Sequence, residues 1–164
     1  DLKHLEMTWH FIGTIQSNKT KDIAGSFDWV HTVDRSKIAR RLNNHCQPGK
    51  RLNVLLQVNI DDDENKGGCP PEQLLPLLHD VSEQPNLQPR GLMAILNTST
   101  DPRSGYEQVA NWQRKLGEQL NKEQRKRWDT LSMGMTGDLE QAIAAGATMI
   151  RVGTALFGSR SQMP

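Results

Sequence analysis

Short apolar segments that alternate with amphipathic helical patterns constrain the fold of this 164-residue chain more than any other feature. Apolar and β-branched residues predict five strands, and a sixth segment of the same kind is shorter. The five strands are expected at residues 9–13, 27–33, 52–60, 91–96 and 149–157, and the sixth at 130–135. Helical patterns occupy residues 18–25, 35–44, 71–83, 105–121 and 138–145. This alternation predicts an α/β fold with a parallel sheet, either open and doubly wound or closed into a (β/α) barrel.

Polar residues at the ends of the predicted strands distinguish these two architectures. Glycine, threonine or asparagine follows nearly every strand, as at Asn59, Asn97-Thr98 and Gly153-Thr154. An open sheet gathers its ligand contacts at one switch point, whereas a barrel builds its site from all the loops that follow its strands. The sequence therefore favours a barrel.

The length of the repeating unit indicates how much of a barrel is present. Six units between residues 9 and 158 take roughly 25 residues each, so a closed (β/α)8 TIM barrel needs about 50 more. We therefore expect strands three to eight of a TIM barrel. The expected domain is an N-terminally incomplete barrel over residues 1–158, followed by a short polar tail at 159–164. The alternative, that the 164 residues are a complete product, stays open.

Charge and composition exclude several classes of protein. The 20 basic residues nearly balance the 19 acidic ones, whereas a nucleic-acid-binding surface normally shows a basic excess. No apolar run has the length of a membrane helix or of a secretory signal, so we expect a cytoplasmic protein with no membrane partner. Cys46 and Cys69 lack metal-site spacing and are expected to be reduced thiols, which leaves no predicted metal site.

A candidate phosphate site lies near the C-terminus. The loops after the last two strands of a (β/α) barrel frequently bind phosphate, together with a helix N-terminus. The first loop here offers Thr136 between glycines and a helix that starts at Asp138, and the second offers Gly153 and Thr154. Thr136 and Asp138 could instead be helix N-caps. The repetition of glycine with a hydroxyl in two successive loops favours the phosphate site.

Arg151 and His10 are the polar residues that stand out within apolar strands. A buried guanidinium needs a partner, so Arg151 either forms a structural ion pair or faces an anionic or heteroaromatic ligand. His10 is either a hydrogen-bonded core histidine or a functional group of the site. His31 has no evident constellation, and Tyr106 is expected at an exposed helix start. The acidic run at residues 61–64 lacks EF-hand spacing and predicts a solvated loop.

Five sequence motifs follow one another along the chain. They are WHFIG with the following QSNK at residues 9–19, QVN at 57–59 with Lys66 and Gly68, GLMAI at 91–95, LSMGMTGD at 131–138 and IRVGTALFG at 150–158. In this order they give the chain a close resemblance, from about residue 9 to 158, to the pyridoxal phosphate homeostasis proteins, which are single-domain relatives of the alanine racemase barrel domain.

The resemblance implies a protein that binds pyridoxal 5′-phosphate (PLP) and acts in intracellular vitamin B6 homeostasis without substantial catalytic turnover. It implies that Arg151 lies against the pyridine nitrogen, that Thr136, Gly153 and Thr154 hold the phosphate, and that Ser132 and Met93 lie near the ring. His10 completes the expected cofactor-binding set. The family's Schiff-base lysine lies on the first strand, which would precede Asp1, so no catalytic residue is assigned within the chain.

Two other functions remain as alternatives. An active PLP-dependent racemase of the alanine racemase type would need a second catalytic acid or base, usually a tyrosine from an additional domain or a partner subunit. A phosphate-binding barrel enzyme without PLP would need metal ligands or a catalytic carboxylate at a strand end. PLP-dependent apo-enzymes are expected partners of the homeostasis protein, which is expected to be a monomer at full length.

Overall fold

The computed structural model describes residues 5–158, and its strands form one parallel sheet. The five strands are β1 (His10–Phe11), β2 (Trp29–Val33), β3 (Leu52–Val58), β4 (Leu87–Ala94) and β5 (Thr130–Ser132). Each strand pairs in parallel with the next one along the chain, in the order β1-β2-β3-β4-β5. A doubly wound sheet would reverse its strand order at a switch point. The uninterrupted order therefore agrees with the barrel architecture that the strand ends predict.

Helices connect successive strands and confirm the predicted alternation. They are α1 (Thr20–Ser26), α2 (Ser36–His45), α3 (Leu74–Ser82), α4 (Pro102–Glu118), α5 (Lys122–Arg125), α6 (Leu139–Ala144) and α7 (Thr154–Phe157). Short 3-10 turns, Ser17–Lys19 and Pro71–Gln73, precede α1 and α3. The helix predicted at residues 105–121 ends early, because a capping box at Asn121 starts the separate helix α5. None of the helices in the described part of the chain is long and apolar enough to cross a membrane.

The strand predicted at residues 149–157 is wrong in most of its length. Only Met149 makes a β-bridge, in parallel with Ser132, and the residues from Thr154 to Phe157 form helix α7. The amide of Arg151 bonds to the carbonyl of Gly134 in the preceding loop. A short apolar run of this kind is compatible with a strand and with a helix, so the pattern alone could not separate the two. The polar tail predicted at residues 159–164 lies outside the described residues.

The two faces of the sheet have different neighbours. Side chains of the first face, such as Val54, Leu56 and Leu92, pack against the helices in the main hydrophobic core. On the second face, Trp29, Leu55 and Met93 form a separate small cluster. Successive side chains of a strand point to opposite faces, so adjacent residues such as Leu92 and Met93 contribute to different clusters. The second face is also the one that carries the candidate site.

Gly91 is required by the close approach of β4 to β5. Its φ is +149°, and a Cβ added to it would lie 1.8 Å from the carbonyl oxygen of Thr130. Backbone cannot move aside as a flexible side chain can, so any side chain at this position would separate the two strands.

We expect Gly91→Ala to lower the free energy of unfolding by about 3 kcal/mol or more, because it combines steric overlap with backbone strain. Urea denaturation followed by circular dichroism measures this change. Gly25→Ala is the matched control, since a Cβ at Gly25 in helix α1 meets nothing within 4 Å. Equal stability of the two variants would contradict the role of close strand approach.

The flanks of the sheet carry exposed apolar side chains. Trp9 and Ile12 border β1 and are 46% and 39% exposed. At the other flank, Leu156 and Phe157 of α7 are 72% and 76% exposed. An unpaired strand edge with apolar neighbours readily pairs with another chain.

We therefore expect the isolated 164-residue chain to self-associate at micromolar concentration. Sedimentation velocity over a concentration series measures the association. Leu156→Glu with Phe157→Glu should shift the distribution toward the monomer, whereas Ile143→Glu, at a 54% exposed position on α6, serves as the control. A wild-type monomer at all concentrations would contradict the prediction.

Candidate functional site

A cavity of about 670 Å³ opens where the strands end. Its polar lining consists of His10 from β1, His31 from β2, and Arg151 with Gly153 from the segment that precedes α7. Its apolar lining is Ile12, Ile95, Met135, Met149, Ile150 and Val152. A mostly apolar cavity of this volume with a few convergent polar groups has the properties of a small-molecule site.

The guanidinium of Arg151 is the charged group of the cavity. One terminal nitrogen donates to the Ser132 hydroxyl at 3.0 Å, and the other donates to the carbonyl of Ala94 at 2.9 Å. Within residues 5–158 no carboxylate lies within ion-pair distance of it, so the structural ion pair does not occur there. Burial lowers the pKa of Arg151, and the charges of Tyr106 and Asp138 oppose that shift. A guanidinium has five N–H donors, so three remain for a ligand.

Two histidines connect to this arginine through Ser132. His10 Nδ1 and His31 Nε2 are 2.8 Å apart, and His31 Nδ1 is 2.9 Å from the Ser132 hydroxyl. The ring of His10 also stacks on Trp29, with the centroids 5.4 Å apart. Burial, with smaller contributions from His10 and Arg151, lowers the pKa of His31 to about 4. Burial also lowers the pKa of His10, against the attraction of Asp28.

The expectation that His31 has no constellation is therefore wrong. His31 lies two residues after Trp29 on β2, and the register pairs His10 with Trp29. The period of two along a strand places Trp29 and His31 on the same face of the sheet. The sequence contained this signal, but only the strand register shows that His10 and His31 are neighbours.

The expectation that Tyr106 lies at an exposed helix start is also wrong. Asp101 caps α4 by accepting a bond from Ser104, so the helix starts early and Tyr106 lies in its second turn, fully buried. Its hydroxyl donates to Asp138 Oδ2 at 2.7 Å, and Asp138 Oδ1 accepts from the Met135 amide at 2.6 Å. Burial and this hydrogen bond raise the pKa of Tyr106. The pair fixes the glycine-rich loop at residues 134–138 against α4.

Comparison with known proteins identifies the family. Residues 3–161 match the alanine racemase N-terminal domain family. The pyridoxal phosphate homeostasis protein of Pseudomonas aeruginosa is 50% identical over 161 residues, which are 98% of this chain and 68% of that protein. The protein of the same name from Pasteurella multocida is 48% identical over 160 residues, which are 96% and 68% of the two chains. The chain belongs to the pyridoxal phosphate homeostasis protein family.

Solved structures agree with this family assignment. PipY of Synechococcus elongatus PCC7942 without PLP is 37% identical, with a TM-score of 0.85 over 93% of this chain and 72% of PipY. PipY with PLP bound is 35% identical, with a TM-score of 0.85 over 94% and 72% of the two chains. Alanine racemase of Clostridium difficile 630 is 15% identical, with a TM-score of 0.70 over 95% of this chain and 41% of the racemase, which shows a shared fold.

The other residues expected in the family's site occupy different places around the cavity. Ser132 is fully buried and contacts Arg151, while Met93 is fully buried in the cluster with Trp29. Thr136 and Thr154 are exposed. Each directly follows a residue that lines the cavity, Met135 and Gly153 respectively.

The glycines expected to admit an anion have unequal surroundings. A Cβ at Gly153 or Gly137 would meet nothing within 4 Å, so space is open at both. Gly134 has a φ of +92°, and its Cβ would lie 2.5 Å from the Cβ of Ala142. Gly134 therefore serves the packing of its loop on α6.

The acidic run at residues 61–64 is not entirely the solvated loop that was expected. The side chain of Asp61 is 6% exposed. It accepts bonds from the Asn97 amide at 2.5 Å and from the Thr100 hydroxyl at 2.6 Å, and Lys66 Nζ lies 3.9 Å away. These bonds join the loop after β3 to the loop after β4. A lone carboxylate in a mixed acidic and polar loop gives no sequence signal for this contact.

Among the described residues, the one cluster with metal-ligating geometry is His79, Asp80 and Glu83. It lies at the end of α3, and none of its members lines the cavity.

The depressed pKa of His31 predicts that acid destabilises the fold before carboxylates titrate. A folded-state pKa of about 4 against an ordinary 6.5 means that the unfolded chain binds the proton more tightly, so stability falls as pH decreases from 6.5 toward 4. We expect a loss of about 2 kcal/mol between pH 7.5 and 5, measured by urea denaturation of the dilute chain. His31→Gln should remove most of this dependence.

His79→Gln is the control for this experiment, because the His79 side chain is 73% exposed. This variant should keep the wild-type dependence on pH. A wild-type stability that stays constant over this interval would contradict the prediction.

Proposed function

We propose that this chain binds PLP in the cavity and acts in PLP homeostasis without substantial catalytic turnover. The observation that carries the proposal is the guanidinium of Arg151, which lies in the cavity with three N–H donors that the described residues leave without a carboxylate partner. The names of the relatives and the PLP-bound PipY structure support the choice of ligand. A volume of about 670 Å³ is ample for a phosphorylated pyridine.

Arg151 would hold the ring nitrogen of the cofactor. A guanidinium can donate but cannot accept a hydrogen bond, and it does not lose its proton at ordinary pH. It therefore keeps the ring nitrogen unprotonated, which weakens the ring as an electron sink. The cofactor supplies an aldehyde and this electron-withdrawing ring. An arginine in this position suits storage of PLP better than extensive amino-acid chemistry.

Thr136, Gly153 and Thr154 would hold the phosphate. The open space beside Gly153 and the exposed hydroxyls support this role, and so does the start of α7 at Thr154, where the first amides have no partner inside the helix. Ser132 and Met93 would act from behind the ring, Ser132 through its bond to Arg151 and Met93 through packing. His10 would contact the ligand from β1.

The surroundings of two side chains favour a binding role over the alternatives. A racemase needs a second acid or base. Tyr106, the chain's single tyrosine, donates its hydroxyl proton to Asp138, so it does not supply that group. A phosphate-binding barrel enzyme without PLP would need metal ligands or a catalytic carboxylate at a strand end, and the Asp61 carboxylate instead accepts hydrogen bonds from Asn97 and Thr100. No lysine lines the cavity in the described ranges, and Lys66 lies near Asp61 instead.

We also propose that the five strands and the bridge at Met149 are strands three to eight of a TIM barrel, with residues 1–158 as one domain. The unbroken strand order supports this assignment, and so do the two flanks, which pair with no further strand within residues 5–158. A cytoplasmic location fits the free thiols of Cys46 and Cys69, and PLP-dependent apo-enzymes are the proposed recipients of the cofactor.

Calorimetric titration of the chain with PLP tests the proposed function. We expect PLP to bind at least tenfold more tightly than pyridoxal, which lacks the phosphate, and Arg151→Met to weaken PLP binding about tenfold or more. Thr154→Leu should also weaken it, because the larger side chain replaces a hydroxyl and obstructs the anion.

Arg103→Met is the matched control, since Arg103 is exposed on α4 and pairs with Glu107. It should bind PLP as the wild type does. Equal affinities of Arg151→Met, Arg103→Met and the wild type would place the cofactor elsewhere.

A further inference from the structure

An unbroken chain of hydrogen bonds connects the guanidinium of Arg151 to the ring of His10. It runs from Arg151 to Ser132 at 3.0 Å, from Ser132 to His31 at 2.9 Å, and from His31 to His10 at 2.8 Å. We propose that Ser132 and His31 are positioning residues, which hold Arg151 for the ligand and fix both histidines in the neutral form protonated at Nε2.

The donor and acceptor roles along this series of hydrogen bonds are set at its Arg151 end. A guanidinium has no acceptor, so the Ser132 hydroxyl oxygen must accept from Arg151. Ser132 is fully buried, and its proton therefore needs an acceptor inside the protein. In residues 5–158 the partners of this hydroxyl are Arg151 and His31 Nδ1, so the proton is donated to His31 Nδ1. The opposite direction would leave a buried hydroxyl proton without a partner.

The same logic determines the state of both rings. A neutral His31 that accepts at Nδ1 carries its proton on Nε2, and it donates that proton to His10 Nδ1. His10 then also carries its proton on Nε2. Burial depresses the pKa of both rings, which favours the neutral forms over an imidazolium. The stacking of His10 on Trp29 fixes the plane of the ring that lines the cavity.

This arrangement gives the cavity two kinds of donor with fixed orientation. Arg151 is held at Ser132 and Ala94, which leaves its other N–H groups for a ligand. His10 contributes an Nε2–H group to which no partner is bonded in the described part of the chain. The functional consequence rests on the proposed function: loss of the Ser132 hydroxyl should weaken PLP binding about five- to tenfold, through Arg151, without removing any group that contacts the ligand.

Solid-state 15N NMR of the chain labelled at histidine tests the tautomers directly, and it tolerates self-association. Spectra of the His10→Gln and His31→Gln variants show which signals belong to each ring. In the wild type without ligand we expect protonated Nε2 and unprotonated Nδ1 in both rings. Protonated Nδ1 in either ring would overturn the proposal.

Three substitutions separate positioning from simple packing. Ser132→Ala should give mixed tautomers at His31 and weaker PLP binding, while Ser132→Thr, which keeps the hydroxyl, should restore both. Ser36→Ala removes an unrelated hydroxyl that donates to Asp80, and it should change neither. If Ser132→Ala does not fold, the tautomers and the PLP affinities of the wild type and Ser132→Thr still test the proposal. Wild-type tautomers in a folded Ser132→Ala, or unchanged PLP affinity, would overturn the positioning role.

The readouts also distinguish failure of this inference from failure of the proposed function. The tautomers are measured without PLP, so the hydrogen-bond chain stands or falls on the free protein. Absence of PLP binding by the wild type would refute the proposed function and, with it, the positioning role. PLP binding by the wild type with protonated Nδ1 at His31 would refute the inference alone.

Discussion

The partly buried charge of Arg151 is the constraint around which the rest of the site is organised. An uncompensated cation inside a protein is costly unless dipoles or a ligand replace its hydration. Here the compensation comes from neutral groups, the carbonyl of Ala94 and the hydroxyl of Ser132. Because these partners carry no formal charge, the guanidinium keeps its positive charge in the cavity. Three of its N–H groups remain for a ligand. This is the electrostatic environment that an anionic ligand with a ring acceptor requires.

The parallel sheet brings these groups together. Ala94 ends β4, Ser132 ends β5, and His10 and His31 lie on β1 and β2. Parallel strands present their carboxyl ends at one edge, so residues far apart in sequence meet there. Ser132 and His31 are 101 residues apart in the chain and are in hydrogen-bond contact.

Two acidic side chains stabilise the loops around the cavity. Asp138 ties the loop at residues 134–138 to Tyr106, and Asp61 joins the loops that follow β3 and β4. Each uses its carboxylate for structural bonds, which removes it from acid–base chemistry. Asp138 and Asp61 thus both hold loops in place. A rigid mouth around a positive group is the arrangement that a binding protein needs.

The sequence by itself determined the alternation of strands and helices, because hydrophobic periodicity and turn residues are local properties. It also determined the parallel sheet and marked Arg151 as an unusual cation in an apolar segment. Local pattern failed at residues 149–157, where an apolar run is compatible with both strand and helix.

Only the tertiary structure decided which polar groups meet. The burial of Tyr106 depends on where Asp101 starts α4, and the function of His31 depends on the strand register. The engagement of Asp61 depends on a neighbouring loop. Each of these contacts joins residues more than 20 positions apart or requires the exact phase of a helix, and no local pattern encodes that information. The physical reason is that a buried polar group takes its role from its partner, and the fold supplies the partner.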